Sequence, residues 1–170
     1  MSPRTRTIAR SAAAPDEAFL RIEGRRWRRS DPRIPAALRQ QLVNELMAAR
    51  RAVATAADDS SRRDARRRVQ DAKVALGERG SAWWLEPSPA DLDTRIAAAI
   101  RALLRSRAEG ATICPSEAAR VVDGVAWRRL LPAVRLQAVR LAEAGALIVL
   151  RAGEPVTGDR TKGVLRYKLA

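Results

Sequence analysis

Four arginines flank one tryptophan in the run Arg25-Arg26-Trp27-Arg28-Arg29. A guanidinium fork pairs with phosphate oxygens, and an indole stacks on a nucleobase or on arginine itself. Arg25, Arg26, Arg28 and Arg29 are therefore candidate contacts to a single-stranded or RNA backbone, with Trp27 as the stacking platform. The competing reading is a charged hairpin whose tryptophan packs on neighbouring helices. A second set lies near the other end of the chain. Glutamine reads adenine and arginine reads guanine, which makes Gln137 and Arg140 candidate base contacts and Arg129 a candidate phosphate contact. Arg160 and Lys162 sit in a glycine-containing loop, where basic tips touch phosphate or enter a minor groove. Glu154 and Asp159 share that loop, so a solvated surface competes. The further run Arg62-Arg63 and Arg66-Arg67-Arg68 has Asp58, Asp59 and Asp64 close by, and reads as a self-paired surface.

Catalytic chemistry has little to work with. The chain of 170 residues has no histidine and a single cysteine, Cys114. Without imidazole there is no Ser-His-Asp or Cys-His centre and no acid-base group titrating near neutrality. One Cys and no His make neither a structural zinc site nor an internal disulfide. Cys114 precedes Pro115 at a helix start, where a thiol pKa can fall, but a small packed residue explains it as well. The segment Gly158-Asp159-Arg160-Thr161-Lys162-Gly163 has neither the order nor the following helix of a phosphate loop. The carboxylates are scattered. The expectation is a non-catalytic binding protein with no cofactor and no metal.

The net charge is +14, from 33 basic and 19 acidic residues. Alanine and arginine together fill 64 positions, against 3 lysines, the signature of a GC-rich coding bias. That bias inflates the charge, which therefore weighs less as a sign of nucleic acid than its size implies. No run approaches the ~18 apolar residues of a membrane span, and the start lacks the apolar centre of a secretory signal. A lone cysteine fits a reducing compartment. The chain is read as cytoplasmic and not bound to membrane.

These residues need elements to hold them. Leu20 and Ile22 alternate with Arg21 and Glu23, and Gly24 permits a tight turn, so a hairpin is expected over the first basic cluster. Leu38, Leu42, Leu46 and Val53 share a helical face over about 36–57. Asp58-Asp59-Ser60-Ser61 reads as a break, after which a second helix over about 62–78 carries Ala65, Val69, Ala72 and Leu76. The two make an antiparallel helix pair, its open end covered by Trp83 and Trp84. Glu86-Pro87-Ser88-Pro89 marks a boundary. Beyond it, Asp91 or Asp93 caps a helix to about 107, Thr112-Ile113 is a short strand, and Pro115 opens a helix to Val122. Asp123-Gly124 turns the chain into a helical stretch over 127–144, interrupted at Pro132. Strands follow at 147–150 and 164–169. This is the element order of a winged helix-turn-helix. The expected fold is thus mainly α (α+β). A disordered basic arm covers 1–18, a β-hairpin plus helical hairpin 19–86, a linker 87–91 and a winged-helix domain 92–170.

The run Thr112-Ile113-Cys114-Pro115-Ser116-Glu117 resembles a bacterial family of small uncharacterised winged-helix domains. The likeness continues through Ala119-Arg120, Trp127-Arg128, Leu131-Pro132, Val134-Arg135 and Arg140-Leu141-Ala142, and ends at Gly163 and Arg166. Gly24-Arg25-Arg26-Trp27-Arg28, Asp31-Pro32, Ile34-Pro35 and Asp71 to Gly80 are similar to a second small bacterial family. Its members are sometimes labelled biopolymer transporters. The resemblances imply a fold and a domain division; neither implies an activity or catalytic residues.

On the winged-helix reading the third helix enters a major groove. With Leu131 at zero and steps of 100°, Leu131, Val134, Ala138, Val139, Leu141 and Ala142 face one side. Arg129, Ala133, Leu136, Gln137, Arg140 and Glu143 face the other. Leu136 is apolar and Glu143 repels phosphate, so this face equally suits a protein partner. Arg135 falls inside the apolar arc and is expected to form a structural ion pair with Glu117 or Asp123. The function expected is nucleic-acid binding, with DNA as the leading partner. The alternative is a protein-interaction adaptor.

Overall fold

Glu23 and Gly24 both take positive φ, 50° and 74°, as a two-residue hairpin turn requires. They join β1 (Phe19–Ile22) to β2 (Arg25–Arg28), with Leu20 opposite Trp27 and Ile22 opposite Arg25. The computed structural model describes residues 14–157 and 163–170. Most of the expected basic arm lies outside them. Its last residues, Asp16–Ala18, form a 3-10 turn with Ala18 buried, because the Arg29 N–H donates to the Ala18 carbonyl at 2.8 Å.

Helix α1 (Ala36–Thr55) buries Leu38, Leu42 and Leu46 along the expected face. Helix α2 (Asp59–Ala75) starts earlier than the sequence reading placed it. Asp58 accepts from the Ser61 N–H at 2.7 Å, and the Ser61 hydroxyl accepts from the Asp58 N–H at 3.3 Å. The polar run thus caps the helix in place of interrupting it. Helix α3 (Pro89–Arg105) likewise begins inside the segment 87–91. Ser88, and not Asp91 or Asp93, is its cap, accepting from the Asp91 N–H at 3.1 Å. Pro89 fits the first turn, where its missing N–H costs nothing.

The remaining elements are β3 (Thr112–Ile113), α4 (Pro115–Val122), α5 (Leu131–Glu143), β4 (Leu147–Arg151), β5 (Glu154–Pro155) and β6 (Leu165–Leu169). A 3-10 turn at Trp127–Leu130 leads into α5, where Pro132 sits in the first turn. The antiparallel sheet runs β3-β6-β4-β5. Tyr167 of β6 stands between Ile113 and Val149. Strand β5 was not anticipated; two residues are too few to show alternation. The fold is mixed α+β, a hairpin followed by helices and a small sheet.

One core runs through both halves of the chain. It includes Leu42 and Leu46 of α1, Leu76 after α2, Ile96, Ile100 and Leu103 of α3, Val134 of α5 and Tyr167. Helix α3 is the shared element, packing on α1 and α2 as well as on α4, α5 and β6. Ala98, Ala99 and Ala102 are buried on it, so three neighbouring layers can approach closely. The turn after α4 touches the first half directly. A Cβ on Gly124 would lie 1.9 Å from the Arg33 carbonyl oxygen, so only glycine fits there.

Arginine–carboxylate pairs lock these layers. Glu45 of α1, 2% exposed, receives both Arg68 Nε at 2.8 Å and Nη2 at 2.9 Å from α2. Asp71 receives Arg101 and Arg105 from α3, both at 2.7 Å. Arg107 pairs with Glu117, which also caps α4 by accepting from the Cys114 N–H at 2.7 Å. Burial pushes the Glu117 carboxyl up, but the bonds from Arg107 and Cys114 outweigh it and hold it below its ordinary range.

Candidate nucleic-acid interface

Strand alternation divides the first basic cluster between two faces. Cross-strand pairing puts Leu20, Ile22, Arg25 and Trp27 on one face of the hairpin. That face borders an open groove of about 1480 Å³. Arg25, Arg28 and Arg29 line it from the hairpin side, Arg39 and Arg50 from α1, and Lys73 from α2. Against these six cations stand three lining carboxylates, Glu17, Glu23 and Glu78. Trp27 is 45% exposed and Ile22 53% exposed in its wall.

Lys73 forms the deepest charge, with its side chain 9% exposed. Its ammonium lies 5.4 Å from the Trp27 ring centre and 3.9 Å from the nearest Glu78 oxygen. Burial lowers its pKa; Glu78 opposes this, and the like charges of Arg79 and Arg50 add to it. Glu78 is shared, since the Ser30 hydroxyl donates to its other oxygen at 3.0 Å. The groove therefore combines a buried cation, two arginines on one helix and an accessible indole.

Three arginines of the cluster have structural partners, and two of them, Arg28 and Arg29, are among those that line the groove. Arg26 lies on the opposite face, its guanidinium 3.6 Å from the centre of the Phe19 ring. Arg28 donates to the Gly80 carbonyl at 2.9 Å and stands over Trp84. Arg29 donates weakly to the Phe19 carbonyl at 3.4 Å. Trp83 donates to the Arg29 carbonyl, and Trp84 packs edge-on against Phe19 and Trp83. The tryptophan pair thus binds the hairpin to the core.

The second set of candidates is not gathered into one surface. Gln137 is 7% exposed, contrary to the expectation that it faces outward. Helix α5 is covered by α3 as well as by α4 and β4, so its buried arc is wider than its apolar stripe. Arg140 donates to Asp93 of α3 at 2.9 Å, and Arg129 to Asp123 at 2.9 Å. Arg135 pairs with neither expected acid. It donates to the Gly163 carbonyl at 3.2 Å, because Glu117 is taken by Arg107 and Asp123 by Arg129. Arg160 and Lys162 lie outside the described residues. Arg68 departs from the self-paired reading of its run, since its carboxylate is on α1; Arg62 and Arg67 do pair locally, with Asp59 and Asp64.

Lys73, Arg39 and Arg50 were missed as site residues. The available signal was Lys73 itself, one of three lysines and set in the apolar stretch Ala72-Lys73-Val74-Ala75. Among the described residues no group of three or more His, Cys, Asp and Glu is placed to hold a metal ion. No helix there is long and apolar enough to cross a membrane.

Residues 93–170 match a family described as a protein of unknown function (DUF3253). The match begins within α3 and takes in every later element, so this half is similar to an uncharacterised family. No curated protein matches the chain.

Proposed function

We propose that this chain is a non-catalytic nucleic-acid-binding protein whose hairpin groove grips a single strand, DNA first among its targets. One observation carries the reading: six cations line an open groove around an accessible indole. Phosphates supply the anions that such a surface neutralises, and bases supply the flat faces that Trp27 stacks on. A protein partner would have to bring acidic and aromatic groups together to match it. The order of the second half, helix–strand–helix–helix and then three short strands, supports a winged-helix reading, on which duplex contact runs through the segment between β4 and β6. The buried Gln137 moves base reading away from α5.

A salt titration tests the proposal. A short labelled oligonucleotide of random sequence, single-stranded or duplex, is followed by fluorescence anisotropy on the full chain. Affinity should fall steeply between 50 and 200 mM salt, by ~10³-fold if about six phosphates are contacted. Salt-insensitive binding of micromolar or weaker affinity to both oligonucleotides would exclude it.

The adaptor reading has one specific support. Leu136 is 51% exposed on the outer strip of α5, and Val164, just before β6, is 81% exposed. Apolar side chains at such positions suit a protein surface better than phosphate.

A further inference from the structure

Lys73 is the one amine among the described residues that line the hairpin groove. The arginines around it stay protonated, whereas an amine that gives up its proton becomes a nucleophile. Its side chain is 9% exposed, and its Nζ lies 5.4 Å from the centre of the Trp27 ring. The nearest carboxylate oxygen, from Glu78, is 3.9 Å away, beyond hydrogen-bond reach. Burial holds the Lys73 pKa below its ordinary 10.5; Glu78 opposes this, and the like charges of Arg79 and Arg50 add to it. A desolvated lysine next to other cations is the kind that reacts with carbonyl groups.

The walls around Nζ favour a particular ligand. Trp27 offers an accessible flat face, which suits an aromatic ring. Six cations against three carboxylates leave the groove lining positive by three charges. Among the described residues, Arg25, Arg39 and Arg50 of that lining enter no ion pair. A phosphate monoester, which is nearly doubly charged, suits such a lining.

We propose that Lys73 captures a small aromatic aldehyde that carries a phosphate, holding it as a reversible imine. The Lys73 ammonium passes a proton to the Glu78 carboxylate, directly or through one water. The freed amine adds to the carbonyl carbon; the C=O pair moves to oxygen, which takes a proton from the nitrogen. Glu78 returns its proton to the new hydroxyl, the C–O bond breaks and water leaves. A protonated imine then stands beside the Glu78 carboxylate, and no oxidant or reductant is consumed. The ring lies against Trp27, and the phosphate meets Arg25 and Arg39. This is covalent binding without turnover, in keeping with a non-catalytic chain, and it stands whether or not the groove grips a strand.

The test is labelling of the full chain with pyridoxal phosphate, without nucleic acid, followed by borohydride reduction and peptide mass spectrometry. The chain has three lysines, so each reports separately. Lys168 is more exposed than Lys73, and accessibility alone would put more label on Lys168. Capture at Lys73 gives the reverse, by ~10-fold or more, because a lowered pKa enriches the free amine. Lys73→Arg keeps the charge, removes the amine and should abolish the visible absorption of the imine. Arg25→Gln combined with Arg39→Gln, at two exposed positions, should cut Lys73 labelling by ~10-fold or more through lost charged hydrogen bonds. Circular dichroism confirms the fold of that double variant, and the wild-type map decides the site even if Lys73→Arg fails to fold. Lys73 labelled no more than Lys168, or equal Lys73 labelling in the folded double variant, would overturn the proposal.

Discussion

Arg95 donates to Asp31 at 2.9 Å across 64 residues of sequence, and so ties the first helix of the second half to the loop after the hairpin. The pair is buried and has a third member in Arg33. Removing one partner of a buried pair leaves an uncompensated charge, which costs more than the pair itself contributes. Asp31→Asn should therefore destabilise the chain by about 3–5 kcal/mol. Urea unfolding, followed by tryptophan fluorescence, measures it. A loss within 1 kcal/mol would mean that water reaches Arg95, contrary to its burial.

The same network sets the acid limit. Burial pushes the Asp31 carboxyl up, but the Arg33 bonds and the Arg95 charge outweigh it and hold it below its ordinary 3.8. Asp123 is also held below 3.8, and Glu117 below 4.5. The unfolded chain then binds more protons than the folded one in this range, so stability rises with pH. The contribution is fully present above those ordinary values and is lost as pH falls through the lower folded ones. Urea midpoints should be level from pH 7 to 5 and drop below about 4, and Asp31→Asn should show a shallower drop.

The Gly124 turn offers a test of the seam that involves no charge. A Cβ there meets the Arg33 carbonyl at 1.9 Å, and the opposing atom is backbone, which cannot rotate away. Gly124→Ala should cost at least ~2 kcal/mol by overpacking. Gly124 is not among the positive-φ glycines, so the loss reports the close contact and not backbone strain. A loss well below that would show that the close approach to Arg33 is relaxed in solution.

Features encoded by neighbouring residues were legible from the sequence. The turn at Gly24, Pro115 at the start of α4 and the break in the helical stretch at Pro132 follow from local backbone rules, although Glu23, read as strand, belongs to the turn. Features set by distant partners were not. Glu45 looks like an ordinary helical acid until Arg68, 23 residues on, is found against it. Gln137 sits opposite the apolar stripe on a helical wheel, and only the packing of α3 on α5 reveals that this side is covered too. The hairpin cluster shows both limits at once. Its composition was plain, but strand alternation gives Arg25 and Trp27 to the groove and Arg26 to Phe19.

Tyr167 presents the reverse of a lost interaction. Its ring is fully buried between Ile113 and Val149, and its hydroxyl is buried with no hydrogen-bond partner. Burial also pushes the phenol pKa well above its ordinary value of 10.0. An unmet buried hydroxyl is a cost, so Tyr167→Phe should be within about 1 kcal/mol of wild type and on the stabilising side. A clear loss on thermal unfolding would reveal an ordered water bonded to the hydroxyl.

Stacking and charge contribute separately in the hairpin groove, and three variants divide them. Arg25→Ala removes a cation that lines the groove and leaves the indole in place. On single strands it should reduce the slope of log affinity against log salt by about 0.7, one phosphate contact's worth. Trp27→Ala should leave that slope alone and weaken binding by about 1–3 kcal/mol at every salt concentration. Arg26→Ala carries the same charge change as Arg25→Ala, but its guanidinium sits over Phe19 on the far face. It should alter neither quantity. If Arg26→Ala and Arg25→Ala reduce the slope alike, the protein's net charge attracts nucleic acid and the groove does not select it.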